Sequence, residues 1–348
     1  MTEPIPPATS PHTPVTKRRW LARRGVIALL ALPLLAVTAV GAVLLATHHT
    51  AIPKLSPSPS GSGGTGTAAA VTCERPRVRE PFVGIAINPA IGPHVLTFEH
   101  ATGAHIGIVE FYNPFDKPFQ RWEAAQAVKA GALPLVQLNP RHESLARIAA
   151  GTFDAQIRRY AAAVRDFHCE IVLSFGHEMN GWWYSWGLPW TKPATYIAAW
   201  RHIHDVFAAQ HVTNVIWAWD PTHQYHGSAH GKKASFASRW YPGNRYVDWI
   251  GIDGYLGRGQ TFAGIFGPQL KDIREVAKGK QIFLGETGVA GGPSQGWQIA
   301  DLFGALTKYH LTGLVWFDLN RKQPWRIEAR PAALVAFRKA IAKLPPVG

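Results

Sequence analysis

The chain has 348 residues, 47% of them hydrophobic, which is ample for one large core or two modest ones. Its net charge is +14, but beyond the first 70 residues the Lys and Arg residues form no dense run, which argues against a nucleic-acid partner. Fourteen Trp is a heavy load, used either in a large aromatic core or in a carbohydrate site.

The first 70 residues stand apart from the rest. Residues 1–24 read as a disordered basic tail, rich in Pro and Thr and then carrying Lys17, Arg18, Arg19, Arg23 and Arg24. Gly25 to Ala46 holds no charge over 22 residues. That exceeds the ~7–15 residues of a signal-peptide core and matches the ~20 of a spanning helix. No A-x-A site ends the run, so residues 25–46 are expected to be an uncleaved transmembrane signal anchor. A cleaved signal, giving a secreted protein, is the alternative. The cations before the span place the N-terminus in the cytoplasm and the remainder outside the cell. Residues 47–70, rich in Pro, Ser and then Gly, read as a flexible tether.

Residues 71–348 would then form the exported domain. It holds 30 Lys and Arg against 21 Asp and Glu. Such a surface could face anionic lipid, wall polymer or an acidic polysaccharide, or serve solubility alone. Both cysteines, Cys73 and Cys169, fall here. An oxidising compartment permits a bond between them, and two buried thiols are equally compatible with the sequence.

Within this domain short apolar runs alternate with helical stretches. The runs are Phe82–Ile87, His105–Phe111, Leu135–Leu138, Ile171–Phe175, Asn214–Trp219, Val247–Ile252, Gln281–Gly285 and Leu311–Trp316. Helices are predicted at 117–130, 153–167, 192–209, 262–278, 296–308 and 330–343. Eight strands alternating with helices over this length predict an α/β fold, a (β/α)8 TIM barrel, preceded by the single membrane helix and linker. A doubly wound open sheet is disfavoured because no G-x-G-x-x-G follows the first strand.

In such a barrel the functional residues sit at the C-terminal ends of the strands. Those ends offer Asn88, Glu110, Tyr112, Asn139, Glu178, Trp219, Asp220, Asp253, Tyr255, Glu286 and Trp316. The fourth strand runs into Gly176-His177-Glu178-Met179-Asn180-Gly181-Trp182-Trp183-Tyr184-Ser185-Trp186. A carboxyl group beside clustered indoles suits sugar chemistry, since sugar C–H faces stack on indoles and a glycosidic oxygen needs an acid. A zinc reading of His-Glu-x-x fails, because position 181 is Gly where a second His is required. Glu178 and Glu286, after strands four and seven, could converge across the barrel mouth as the acid and nucleophile of a retaining hydrolase.

The His177–Trp183 run, together with Gly285-Glu286-Thr287-Gly288, resembles glycoside hydrolase family 26, a family of retaining barrels. The resemblance spans roughly residues 78–340 by layout. It implies that Glu178 is the acid/base and Glu286 the nucleophile. It further implies that His177 contacts the sugar or Glu178, that Trp183 floors the site and that Tyr255 hydrogen-bonds Glu286. Trp182, Trp219, Trp316, Asp253 and Tyr112 complete the expected substrate-binding set. Trp316-Phe317 departs from the Trp-Arg usual in the family's mannanases, which bears on the substrate.

Blander roles weigh on some of these residues. Asp220 reads best as a turn or cap residue, and Glu110 as a buried partner of an Arg. His223, His226 and His230 lie in one loop at spacings that suit solvent or sugar better than a metal. No metal and no cofactor is required. The sequence thus predicts a monomeric, membrane-tethered hydrolase of a β-glycan, endo-β-1,4-mannanase first. A glucanase, a xylanase or an exopolysaccharide-trimming enzyme of the same mechanism is the alternative, and a non-catalytic glycan-binding barrel is the rival of another class.

Overall fold

The structure is a computed structural model that describes residues 73, 80–87, 91–223, 236–319 and 325–344. The expected membrane span and linker lie outside these residues, as do Asn88, His226 and His230. Among the described residues no helix is long and apolar enough to cross a membrane.

Nine parallel strand segments form one sheet that closes on itself. They are β1 (Phe82–Ala86), β2 (Ile106–Pro114), β3 (Leu133–Asn139), β4 (Ile171–Phe175), β5 (Val215–Trp219), β6 (Trp249–Gly251), β7 (Gly254–Leu256), β8 (Gln281–Val289) and β9 (Gly313–Phe317). Strands β1 to β6 pair in sequence order, as do β7 to β9, β1 pairs with β9, and β6 pairs with β8 to complete the circle. Both β6 and β7 lie along β8, so together they make one barrel strand interrupted at Ile252 and Asp253. The architecture is therefore an eight-stranded parallel barrel of the (β/α)8 type.

Helices α1 (Ile91–Thr102), α2 (Arg121–Lys129), α3 (Leu145–Ala149), α4 (Asp154–Arg165), α5 (Pro193–Ala209), α6 (Phe262–Val276), α7 (Gln295–Lys308) and α8 (Pro331–Ile341) accompany the strands. Helix α4 buries Ile157, Tyr160, Ala161 and Val164, the i, i+3, i+4, i+7 stripe of a helix lying on a sheet. Pro193 and Pro331 open α5 and α8, where a missing N–H costs nothing. The Thr261 hydroxyl caps α6 by accepting from Gly264 N at 3.2 Å.

Two apolar layers result. The inner one, within the barrel, comprises Phe82, Ala86, Ile108, Leu133, Leu135, Val172, Ala218, Phe283, Val315 and Phe317. The outer one, between strands and helices, takes the alternate residues, including Trp217, Trp219 and Trp316. Cys73 and Cys169 are joined by a disulfide across a sequence separation of 96, which ties a residue ahead of β1 to one two positions before β4.

Candidate active site

Strand alternation builds the site. Along each strand the inward-facing residues pass from apolar to polar toward the C-terminal end. On β2 the inward series is Ile108, Glu110, Tyr112. On β3 it is Leu133, Leu135, Gln137, Asn139, and from β5 onward Ala218, Asp220. The floor of the barrel is therefore greasy, its middle holds buried polar groups, and its mouth opens into a cleft of about 970 Å3.

Glu178 stands at that mouth just beyond β4. Its φ is +53°, in the left-handed region that a side chain normally avoids. Two hydrogen bonds hold the turn: Glu178 N donates to Asp220 O at 2.7 Å, and Gly181 N to Glu178 O at 2.8 Å. Asn180 braces it further, donating to Thr222 O and accepting from Thr222 N, both at 2.9 Å. The carboxyl accepts a hydrogen bond from Trp183 Nε1 at 2.6 Å. Burial, and after it the charge of Glu286, push this carboxyl up to about 8, against the lowering pull of the Trp183 and Thr222 donors.

Glu286, in the middle of β8, is placed differently. Tyr112 Oη donates to its Oε1 at 2.6 Å, and Tyr255 Oη to its Oε2 at 2.5 Å. Burial first, and then neighbouring carboxylates, raise both phenols well above their usual range, so each keeps its proton to donate. Both oxygens of Glu286 thus receive donors, an environment suited to a carboxylate. His177 Nε2 lies 4.0 Å from Glu286 Oε1, and His177 Nδ1 is hydrogen-bonded to Asn139 Oδ1 at 2.9 Å. Burial lowers this imidazole to about 3, leaving it neutral.

Beneath the pair lies a second tier of carboxyl groups. Gln137 Nε2 donates to Glu110 Oε1 and to Asp220 Oδ2, each at 2.7 Å. The Asp220 and Asp253 carboxyls crowd together over Gly285, and Asp220 Oδ1 and both Asp253 oxygens are buried with no hydrogen-bond partner among the described residues. Burial raises Glu110 and Asp253 well above the usual range and Asp220 to about 7. Space for them comes from glycine. A Cβ on Gly285 would fall 2.1 Å from Asp220 Oδ1 and 2.5 Å from Asp253 Oδ1, and one on Gly251 would fall 2.0 Å from Asp220 Oδ1.

Of the residues singled out in the sequence, Glu178, Glu286, Tyr112, Asn139, Tyr255, Trp182, Trp183 and His223 line the cleft. Others do not. Trp219 and Trp316 are fully buried in the outer layer, Trp219 against Tyr241 and Trp316 against Phe337. Alternation turns them outward, and on β9 it is Phe317, the next residue, that faces the mouth. His177 and Asp253 are buried and are not among the residues lining the cleft. Glu110 is a partner of Gln137 and not of an Arg, and Asp220 is a buried carboxyl and not a turn or cap. His177, Glu178 and Asp253 bring one donor atom each within 4.8 Å of one another, a grouping that belongs to this same site.

The cleft also contains residues the sequence did not single out, among them Arg141, Thr222 and Trp325. Trp325 packs on Tyr255 with ring centroids 4.8 Å apart and lines the cleft, which Trp316 does not. Phe317 was open to detection, since Val315 and Phe317 share a face. Trp325 lies between β9 and α8, well past the strand end, and carries no motif.

A profile described as Glycosyl hydrolase family 26 matches residues 97–291, which include both glutamates. Endoglucanase H of Acetivibrio thermocellus is 30% identical over 265 residues, covering 71% of this chain and 29% of that protein. Mannan endo-1,4-beta-mannosidase A and B of Caldalkalibacillus mannanilyticus is 32% identical over 87 residues, 23% of this chain and 15% of that protein. The chain therefore spans less than a third of the length of either relative. The catalytic domain of the Bacillus sp. JAMB-750 GH26 endo-beta-1,4-mannanase superposes with a TM-score of 0.58 at 16% identity. It covers 76% of this chain and 86% of that one, a likeness of fold.

Proposed function

The chain belongs to glycosyl hydrolase family 26, and from that membership we propose that it is a retaining β-glycan hydrolase acting on β-1,4-mannan, with Glu178 as acid/base and Glu286 as nucleophile. One observation carries the reading: two glutamates share one cleft in opposite environments. Glu178 is buried and pushed up to about 8, so it holds a proton at neutral pH. Glu286 accepts from two phenols, so it is set up as the ionised partner.

The chemistry follows from that asymmetry. Glu286 attacks the anomeric carbon while Glu178 gives its proton to the departing glycosidic oxygen, so the C–O bond breaks as the glycosyl–Glu286 ester forms. Esterification removes the negative charge of Glu286, one of the causes that raise the Glu178 carboxyl. Glu178 is then a stronger acid and its carboxylate persists. It takes a proton from water, whose oxygen displaces Glu286 and restores both groups. Trp182 and Trp183 on one side, and Tyr255, Phe317 and Trp325 on the other, supply flat apolar faces for the sugar rings.

β-Glucan is the second reading for the substrate, favoured because the relative matching over 71% of the chain is named an endoglucanase. The deciding experiment incubates the full chain with β-mannan, β-1,4-glucomannan, mixed-linkage β-glucan and xylan and sizes the products. Release of oligosaccharides from mannan supports the first reading, and cleavage of glucan alone the second. Binding without any cleavage would return the chain to the non-catalytic class.

We place this domain outside the cell, on a membrane anchor at residues 25–46. The Cys73–Cys169 bond supports an oxidising compartment. A reporter fused after residue 70 should be extracytoplasmic and membrane-bound, and a cytoplasmic reporter would overturn the assignment.

A further inference from the structure

A second cleft, of about 550 Å3, adjoins the catalytic one and shares two of its walls, Arg141 and Ser185. The loop after β4 builds the boundary. Trp186 is buried and donates from Nε1 to His177 O at 2.7 Å, fixing the loop's middle. Gly187 then passes so near the Gly181 carbonyl that a Cβ would lie 2.5 Å from its oxygen. Trp190 N donates to Gly187 O at 3.0 Å, and Thr191 Oγ1 to Ser185 O at 3.3 Å. One segment thus sends Trp182 and Trp183 into the catalytic cleft, turns back at Gly187, and delivers Trp190 into the neighbouring one.

The Trp190 side chain is 73% exposed. A single exposed apolar side chain is ordinary on a protein surface. This one is a flat indole on a hydrogen-bonded turn, in the wall of a cleft continuous with a glycan site. Arg141, His142 and Lys192 stand around it, against one carboxylate among the lining residues, Glu143. All three basic residues are exposed at their own positions. The cleft therefore offers a stacking face and a surplus of positive charge together. It lies on the β3–β4 side of the barrel, the side of Glu178, across from Phe317 and Trp325. Glu178 protonates the leaving oxygen, so this is where the leaving part of the chain extends.

We propose that this cleft is a distal subsite for a sugar unit carrying an anionic substituent, a uronic acid or a carboxylate ketal, on the leaving-group side of the same β-glycan chain. Trp190 stacks on the C–H face of that unit, and Arg141 and Lys192 pair with its carboxylate. The inference rests on the glycan-hydrolase reading given above.

The test uses the full chain, Trp190→Ala and Lys192→Glu, with three probes: 4-nitrophenyl β-mannobioside, β-1,4-glucomannan and lightly carboxymethylated β-1,4-glucomannan. The wild type should show a lower KM for the carboxymethylated polymer than for the neutral one. About 0.5 M salt should erase that preference through screening, and Lys192→Glu should reverse it. Trp190→Ala should raise KM for both polymers about tenfold more than for the bioside, the worth of one aromatic contact. Equal KM values for the two polymers in all three proteins would overturn the proposal. If the wild type turns over none of the probes, the mannan reading fails, and affinity electrophoresis in gels containing either polymer reads the subsite by itself. Retardation by the carboxymethylated polymer that Trp190→Ala abolishes supports it, and identical migration of wild type and variant overturns it.

Discussion

Trp183 Nε1 donates a hydrogen bond to Glu178 Oε2 at 2.6 Å, so an aromatic residue facing the cleft also sets the acidity of the group beside it. An N–H donor favours the ionised carboxylate, and its removal favours the protonated one. Glu178 must be protonated for the first step, so activity is expected to fall as pH rises through its value of about 8. Trp183→Phe keeps a flat ring and loses the donor. The basic limb of the kcat/KM profile should then move to higher pH, by up to about one unit if the bond is worth ~1.5 kcal/mol. A limb that stays in place would leave Trp183 as a stacking surface alone.

The two glutamates should fail in different ways. Glu286→Ala removes the group that forms the ester, and turnover should vanish for every leaving group. Glu178→Ala should spare the first step of an aryl glycoside, whose phenolate departs with little acid help. The ester then accumulates for lack of a base, and azide should restore turnover by replacing water. Two inversions make the product a β-glycosyl azide. An α-azide, or equal losses in both variants across all leaving groups, would defeat the assignment.

Much of this site was legible because barrels put chemistry at strand ends, and Glu178 and Glu286 each follow or sit within a marked apolar run. Which face a residue takes was harder to read. A run such as Val215-Ile216-Trp217-Ala218-Trp219 is apolar on both faces, so its alternation has no polar side to set the register. That is why Trp219 and Trp316 looked like platforms although both point outward. Asp220 misled for a related reason. A polar residue at the end of a strand reads as a turn, and only the absence of side chains at Gly251 and Gly285, distant in sequence, makes room to bury it. Helix α1 was missed because Gly92 and Pro93 interrupt its start, although Pro is tolerated in a first turn.

The sequence left the two cysteines open, and the structure joins them. Their bond closes a loop between residues separated by 96 positions. Crosslinks of this kind usually contribute about 2–4 kcal/mol, chiefly by restricting the unfolded chain. Cys73→Ser should lower the melting temperature, and unfolded, unreduced wild type should take up no thiol label. Two labels per chain would show that the bond does not form.

The buried tier under Glu286 should govern how stability depends on pH. Asp220 is fully buried and held at about 7, whereas an unfolded Asp titrates near ~3.9. Between those values the folded chain keeps a proton that the unfolded chain has released. Stability from this group is therefore fully present below about pH 4, declines as pH rises, and is lost once pH passes about 7. The slope within the window is at most ~1.4 kcal/mol per pH unit for one such proton. Glu110 and Asp253 are shifted in the same direction and add to it. Asp220→Asn keeps the shape over Gly285, can still accept from Gln137, and sets an uncharged amide beside Asp253 that binds no titrating proton. The variant should therefore lose less melting temperature than wild type between pH 4 and pH 8, the gap opening mainly above pH 5. Melting curves across that range decide the matter. Parallel curves would mean that Asp220 carries no proton in the folded state, and that Asp253 or Glu110 holds the charge balance of the barrel alone.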